Sequence, residues 1–273
     1  MTTGPTLGRA VRSEFLKFFT TRMWWGMAIA VFLSGAGLSL LFAILFTSDS
    51  VTESAGPGGV PTGDATQIAN TVYTAGLSVG YLLLLTIGVI QIGAEYRHKT
   101  ISGTFLATPH RARAMLAKVI ALLGIGAGYG LLSLIGSVSV GALALQLRGE
   151  DPFPSGEVVR TLALSLLVLG LWALIGLGIG ILIPNQVAAL LIGVGVAWIV
   201  EPLLVFALSA WDFARDHLVQ FFPSSATNAV INAVQNSPDE VRLDWWAAAL
   251  VLAAYAAVLA GFGILRTMRQ DIS

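Results

Sequence analysis

The sequence of 273 residues has no cysteine, which excludes disulfides, thiolate metal sites and a cysteine nucleophile. Charge is scarce, at 11% of residues, where a soluble domain carries about 25%. With 56% of residues hydrophobic, a water-exposed fold of this size would lack the polar surface to cover itself. Lipid removes that requirement. There is also no excess of either sign: 15 basic residues balance 15 acidic ones, so no basic footprint points to nucleic acid as a partner. Histidine is rare. His98, His110 and His217 stand apart in the sequence, without a partner at metal-ligand spacing, so neither metal nor catalytic role is expected of them. Asp212, Asp216, His217 and Ser224 share one segment, but no Gly-x-Ser-x-Gly elbow accompanies them. The phosphate-binding pattern Gly-x-x-x-x-Gly-Lys-[Ser/Thr] is missing, so the chain is read as a non-enzyme that does not hold ATP in that way. Arg9, Arg12, Glu14 and Lys17 interrupt the first apolar run and argue against a cleaved signal peptide.

What is present is apolar length. Crossing a bilayer takes roughly 20 apolar helical residues, and six stretches qualify: 23–46, 71–94, 116–145, 159–183, 187–208 and 245–265. The third is long enough to tilt or project. Only Pro184-Asn185-Gln186 separates the fourth from the fifth, too short a turn to hold a domain. The expected fold is an all-α integral membrane protein, a single transmembrane domain over residues 1–273. Residues 1–22 carry Leu7, Val11, Phe15 and Phe18 at helical spacing, with Arg9, Arg12, Ser13 and Lys17 elsewhere on the wheel. This pattern predicts an amphipathic helix lying in the interface, before Trp24 and Trp25 mark the headgroup level. Residues 47–69 read as a flexible connection. Residues 209–242 are too aromatic for a wet loop and too charged for a span, which predicts short re-entrant helices on the outer side.

Lys and Arg orient the chain. With the amino terminus inside, eleven of the fifteen fall in inner segments, and only Arg148, Arg160, Arg215 and Arg242 lie outside. Both termini are then expected in the cytoplasm.

Residues 94–118 are too polar for lipid and too patterned for a linker. Ile101, Phe105 and Leu106 form a small apolar face on a short helix that Pro109 ends. Such a helix, held between two spans, suits docking in a partner's groove, although a solvated basic loop would share its charge pattern. This segment resembles the loop between the second and third spans of ABC transporter permeases of the type-2 exporter class. The resemblance rests on Glu95-Tyr96-Arg97-His98-Lys99-Thr100, then Pro109, Arg111, Arg113 and Lys118. The opening Glu14-Phe15-Leu16-Lys17, Thr20-Thr21-Arg22 and Trp24-Trp25 is similar to the elbow helix of bacterial, high-GC members. Gly176, Gly178 and Gly180 before the tight turn also match. The resemblance implies a bacterial inner-membrane subunit that exports a hydrophobic or amphiphilic cargo. It further implies a second permease chain and ABC ATPase partners that carry ATP and Mg. Residues 95–113 would form the coupling loop, with Glu95, Tyr96, Arg97, Thr100, Ile101, Phe105, Leu106, Pro109, Arg111 and Arg113 at the ATPase contact. A secondary transporter or channel subunit, independent of ATP, is the competing class.

Glu201 is the one carboxylate well inside an apolar run, and an ionisable group there costs about 2.5–3.5 kcal/mol by insertion scales. It either lines a pathway or outer gate, together with Phe221 and Phe222, or pairs structurally with a neighbouring helix. Gln91, one turn before Glu95, has the same two readings. Gly76 and Gly80, Gly126 and Gly130, and Gly176 and Gly180 are small pairs at four-residue spacing, which permit close helix packing.

Overall fold

In the computed structural model, which describes residues 6–48, 64–98, 111–233 and 241–269, every regular element is a helix. Six helical stretches are long and apolar enough to cross a membrane, so the chain is an all-α, multi-pass membrane protein. The amphipathic helix α1 (Leu7–Phe19) precedes the first span, α2 (Met23–Thr47). The second span is built of α3 (Ala65–Thr74) and α4 (Leu77–Arg97), and the third is α5 (Arg111–Leu147). Next comes the fourth span, α6 (Glu157–Leu182). The fifth is made of α7 (Gln186–Gly195), a π-helical turn (Val196–Val200) and α8 (Glu201–Ser209). Two short helices, α9 (Asp212–His217) and α10 (Pro223–Val230), lead to the last span, α11 (Trp245–Arg269).

One boundary differs from the sequence expectation, and two prolines shape the segments that follow, each for a local reason. The second span starts earlier than residue 71, because the Asp64 carboxylate caps α3 by accepting the Gln67 N–H at 2.7 Å. Residues 65–69 are therefore helical rather than part of the loop read over 47–69. The fifth span, expected at 187–208, runs unbroken over Gln186–Ser209 but is not α-helical throughout. Pro202 has no N–H to offer the Trp198 carbonyl, and the chain accommodates this with the π turn just before Glu201. In the segment 209–242 the short helices expected from the sequence are present, and Pro223 opens the second of them. That helix, α10, buries Ala226, Thr227, Ala229 and Val230 against α6 and α11.

Helices α4 and α6 form the centre of the bundle, with α11 and α5 packed on α6 and α2 packed on α5. The contact between α4 and α6 is made backbone to backbone. A Cβ at Gly88 would overlap the Ala173 carbonyl, and one at Gly176 would overlap the Leu85 carbonyl. Lipid tails are as apolar as leucine, so close van der Waals packing of this kind must hold the helices together. By contrast α2, the fifth span and α11 turn apolar side chains outward, with Phe206 81% and Leu191 71% exposed. In water this would be an aggregating surface; against lipid or another apolar chain it is matched.

In an isolated helix Gly88→Ala would stabilise by up to about 1 kcal/mol. Here it should lower the melting temperature of the purified chain, because the added carbon meets backbone that cannot yield. Gly128→Ala, where nothing lies within 4 Å of the new carbon, should leave the melting temperature unchanged or raise it. Equal behaviour of the two variants in a thermal-shift assay would contradict this packing.

Candidate functional site

Four charged side chains from three segments meet at the end of the bundle that bears the described ends of the chain. Glu14 and Lys17 come from α1, Glu95 from the last turn of α4, and Lys118 from the third turn of α5. The Lys118 ammonium stands 2.7 Å from Glu14 Oε2 and 2.6 Å from Glu95 Oε1. Lys17 closes the group, 2.6 Å from Glu14 Oε1 and 2.7 Å from Glu95 Oε1. Lys118 is 1% exposed, and Glu14 and Glu95 are buried with it. Each cation thus bridges both carboxylates, and the group is electrically balanced. A buried charge pair adds little net stability over an apolar pair, but breaking one is expensive. Its effect here is geometric: α1 is fastened to the two helix ends that bracket residues 99–110.

Burial pushes the Glu14 carboxyl upward, but the Lys118 and Lys17 ammoniums outweigh it and hold its pKa below the ordinary value of 4.5. Burial pushes Lys17 downward, and the Glu14 and Glu95 carboxylates outweigh that and hold it above 10.5. A depressed acid stabilises above its unfolded pKa, and a raised base stabilises below its own. Both contributions are therefore complete between pH 4.5 and 10.5 and erode outside that window.

The sequence expected the apolar stripe of α1 at Leu7, Val11, Phe15 and Phe18. The buried face is instead Ala10, Glu14 and Phe18, rotated so that it contains the carboxylate. Sequence reasoning missed this site. The available signal was the acid inside the hydrophobic stripe, three residues before a lysine.

Of the residues expected at an ATPase contact, Glu95 is in the cluster, Tyr96 is half-buried against the core and Arg97 is exposed. Arg113 is half-buried in the first turn of α5, where Arg111 also lies. Thr100, Ile101, Phe105, Leu106 and Pro109 lie outside the described residues. Beside the cluster, Gln91, Glu95, His98 and Lys17 help to line a cavity of 260 Å³, into which one turn of α4 brings Gln91.

A second polar site lies at the opposite end of the bundle. Glu201 is 5% exposed, and its Oε1 accepts the backbone N–H of Ser224 at 2.5 Å in the first turn of α10. A carboxylate at that position complements the positive end of the helix. Trp172 Nε1 donates to Thr227 Oγ1 at 2.9 Å, and the Trp172 ring stacks on Tyr81 with centroids 4.4 Å apart. Together these contacts tie α10 to the fourth and fifth spans, and the second span backs the Trp172 ring. Glu201 also borders a cavity of 370 Å³ that is otherwise almost wholly apolar, lined by Trp172, Ile192 and Tyr255 among others. Phe221 is exposed on a single 3-10 turn and Phe222 is half-buried just before α10, two residues from the Ser224 N–H that Glu201 accepts. Among the described residues no group of three or more His, Asp or Glu could hold a metal.

Lys118→Met would leave two buried carboxylates facing one half-exposed lysine. It should cost about 3–5 kcal/mol of stability, and adding Glu14→Gln should recover part of that loss. The melting temperature of the wild type in detergent should be flat between pH 5 and 10 as far as this cluster contributes and fall below pH 4.5. In Lys118→Met plus Glu14→Gln the acid-side fall should be shallower. An unchanged melting temperature in Lys118→Met would contradict the cluster's role.

Comparison of the chain with protein-family models and with curated proteins finds no match.

Proposed function

We propose that this chain is the membrane subunit of an ATP-driven exporter of the type-2 ABC class, seated in a bacterial inner membrane with both termini cytoplasmic. A second permease chain and separate ATPase subunits, which bind ATP and Mg, would complete it. The cargo would be hydrophobic or amphiphilic, moved outward by alternating access. The observation that carries this reading is the ion cluster. A push delivered to residues 99–110 would reach α4 and α5, and the bridge through Glu14 and Lys118 would carry it to α1 as well. A solvated basic loop needs no such fastening. The placement of eleven of fifteen basic residues on this side supports the cytoplasmic orientation. The motif Glu95-Tyr96-Arg97-His98 with Pro109, Arg111, Arg113 and Lys118 supports the family.

A secondary transporter is the second reading, and Glu201 favours it. Such proteins place ionisable groups beside interrupted spans, and Glu201 follows a π turn and borders a cavity. It is also satisfied as a cap on α10, however, which gives it a structural reason to be there.

The two readings part at Phe105. If residues 99–109 dock in an ATPase groove, Phe105→Asp forfeits the burial of one aromatic side chain and adds a charge. Affinity for the ATPase should then fall roughly ten- to hundredfold or more, while the chain remains folded in the membrane. The measurement is co-purification of ATPase from the native membrane together with ATP hydrolysis by the assembly. Retention of both at wild-type level would remove the coupling assignment and favour the secondary transporter.

A further inference from the structure

Where α1 crosses the base of α2 and α5, a groove of 240 Å³ opens, walled by Phe15, Phe19, Trp24, Gly124, Gly128 and Leu132. Its walls are held in place. Phe19 packs edge-on against Trp24 with centroids 5.8 Å apart, Phe18 packs edge-on against Tyr129, and the Tyr129 hydroxyl donates to the Trp24 carbonyl at 2.6 Å. Two glycines face the groove. A Cβ at Gly124 would press on the Phe15 ring, but one at Gly128 would meet nothing within 4 Å.

Depth identifies the environment. The 37 residues of α5 span about 55 Å at 1.5 Å each, well beyond the roughly 30 Å of hydrocarbon. The excess belongs at its amino-terminal end, where Arg111, Arg113 and Lys118 lie. Gly124 and Gly128 are then about 9 and 15 Å past Lys118, level with Trp24 and Tyr129, residue types that favour the headgroup boundary. The groove therefore begins among headgroups and runs toward the tails.

Charge identifies the occupant. Arg9, Arg12 and Arg22 are exposed and form no ion pair among the described residues. The only carboxylate of α1, Glu14, is turned inward on Lys118 and Lys17. Arg12 lies one turn before Phe15 and Leu16, on the side of α1 that faces the groove and the exposed Phe19. Neighbouring basic side chains with no acid beside them, above a slot lined by carbon, are complementary to a lipid with an anionic head. At 240 Å³ the groove is smaller than the roughly 300–1,000 Å³ typical of drug-sized ligand sites and cannot admit a helix about 10 Å across.

We propose that this groove is a binding site for one anionic phospholipid, with an acyl chain between α1, α2 and α5 and its phosphate beside Arg12. This is independent of the exporter reading and holds whether or not the chain meets an ATPase. Each basic residue near an anionic lipid surface contributes about fivefold in affinity.

The test is lipid retention by the purified full chain, read by native mass spectrometry after exchange into mixed micelles of palmitoyl-oleoyl phosphatidylglycerol and phosphatidylcholine. The wild type should retain phosphatidylglycerol in preference to phosphatidylcholine. Arg12→Gln should lose about fivefold of that retention, while Arg148→Gln, an exposed arginine at the opposite end, should lose none. Gly128→Leu fills the slot and should lose retention while keeping a monodisperse profile; if it does not fold, the Arg12 and Arg148 pair decides. No preference in the wild type, equal loss in Arg12→Gln and Arg148→Gln, or full retention by Arg12→Gln or by a folded Gly128→Leu would each overturn the site.

Discussion

The pairing of Lys118 with Glu14 and Glu95 is the constraint on which the organisation of this end of the molecule depends. A lysine that is 1% exposed requires acceptors, and two carboxylates supply them at 2.6 and 2.7 Å. Those carboxylates arrive from different segments, so both bridges to Lys118 form only when α1, α4 and α5 come together in one arrangement. An apolar contact of the same size would tolerate sliding and rotation. Four charges in fixed register resist both, because displacing α1 breaks the Lys118–Glu14 and Lys17–Glu95 bridges together and leaves each group with one partner instead of two. The amphipathic helix is thereby part of the bundle and not merely afloat in the interface. Its exposed arginines and the groove beneath Phe15 and Phe19 are held at a defined depth by the same bridge.

At the other end the logic is similar and the chemistry differs. Pro202 interrupts the α-helical pattern of the fifth span, and Glu201 beside it reaches the first turn of α10. Trp172 supplies a second tie through Thr227, so one short helix is pinned to two spans. Between the two polar ends the bundle relies on the absence of side chains: Gly88 and Gly176 let α4 and α6 approach until backbones touch. The polar groups fix which helices meet, and the glycines fix how closely.

Much of this was legible in the sequence. Apolar runs and scarce charge reveal six spans, because a bilayer imposes length and composition on each helix independently of its neighbours. The small pairs at Gly76, Gly126 and Gly176 signalled close packing, and each does approach another helix. The π turn at Val196–Val200 was written in Pro202 but requires weighing one missing hydrogen bond against a long apolar run. The ion cluster was not legible, although Glu95 and Lys118 both stand in the segment that drew attention. A buried salt bridge depends on which helix faces meet in space, and Glu14 lies 104 residues from Lys118. Periodicity picked out Leu7, Val11, Phe15 and Phe18 and left Glu14 out of the stripe it falls within, because it weighs only apolar residues whether or not a cation awaits the acid.

The central claim is that α1 is locked to α5 and does not drift on the membrane surface. Because the chain has no native cysteine, two can be introduced and spin-labelled cleanly at the exposed positions Ser13 and Leu116. The distance between them is then measured by pulsed electron paramagnetic resonance in lipid nanodiscs at pH 7. A single narrow distribution, broadening when Lys118→Met is added, is the expected result. A broad or two-peaked distribution in the otherwise unaltered chain would contradict the account.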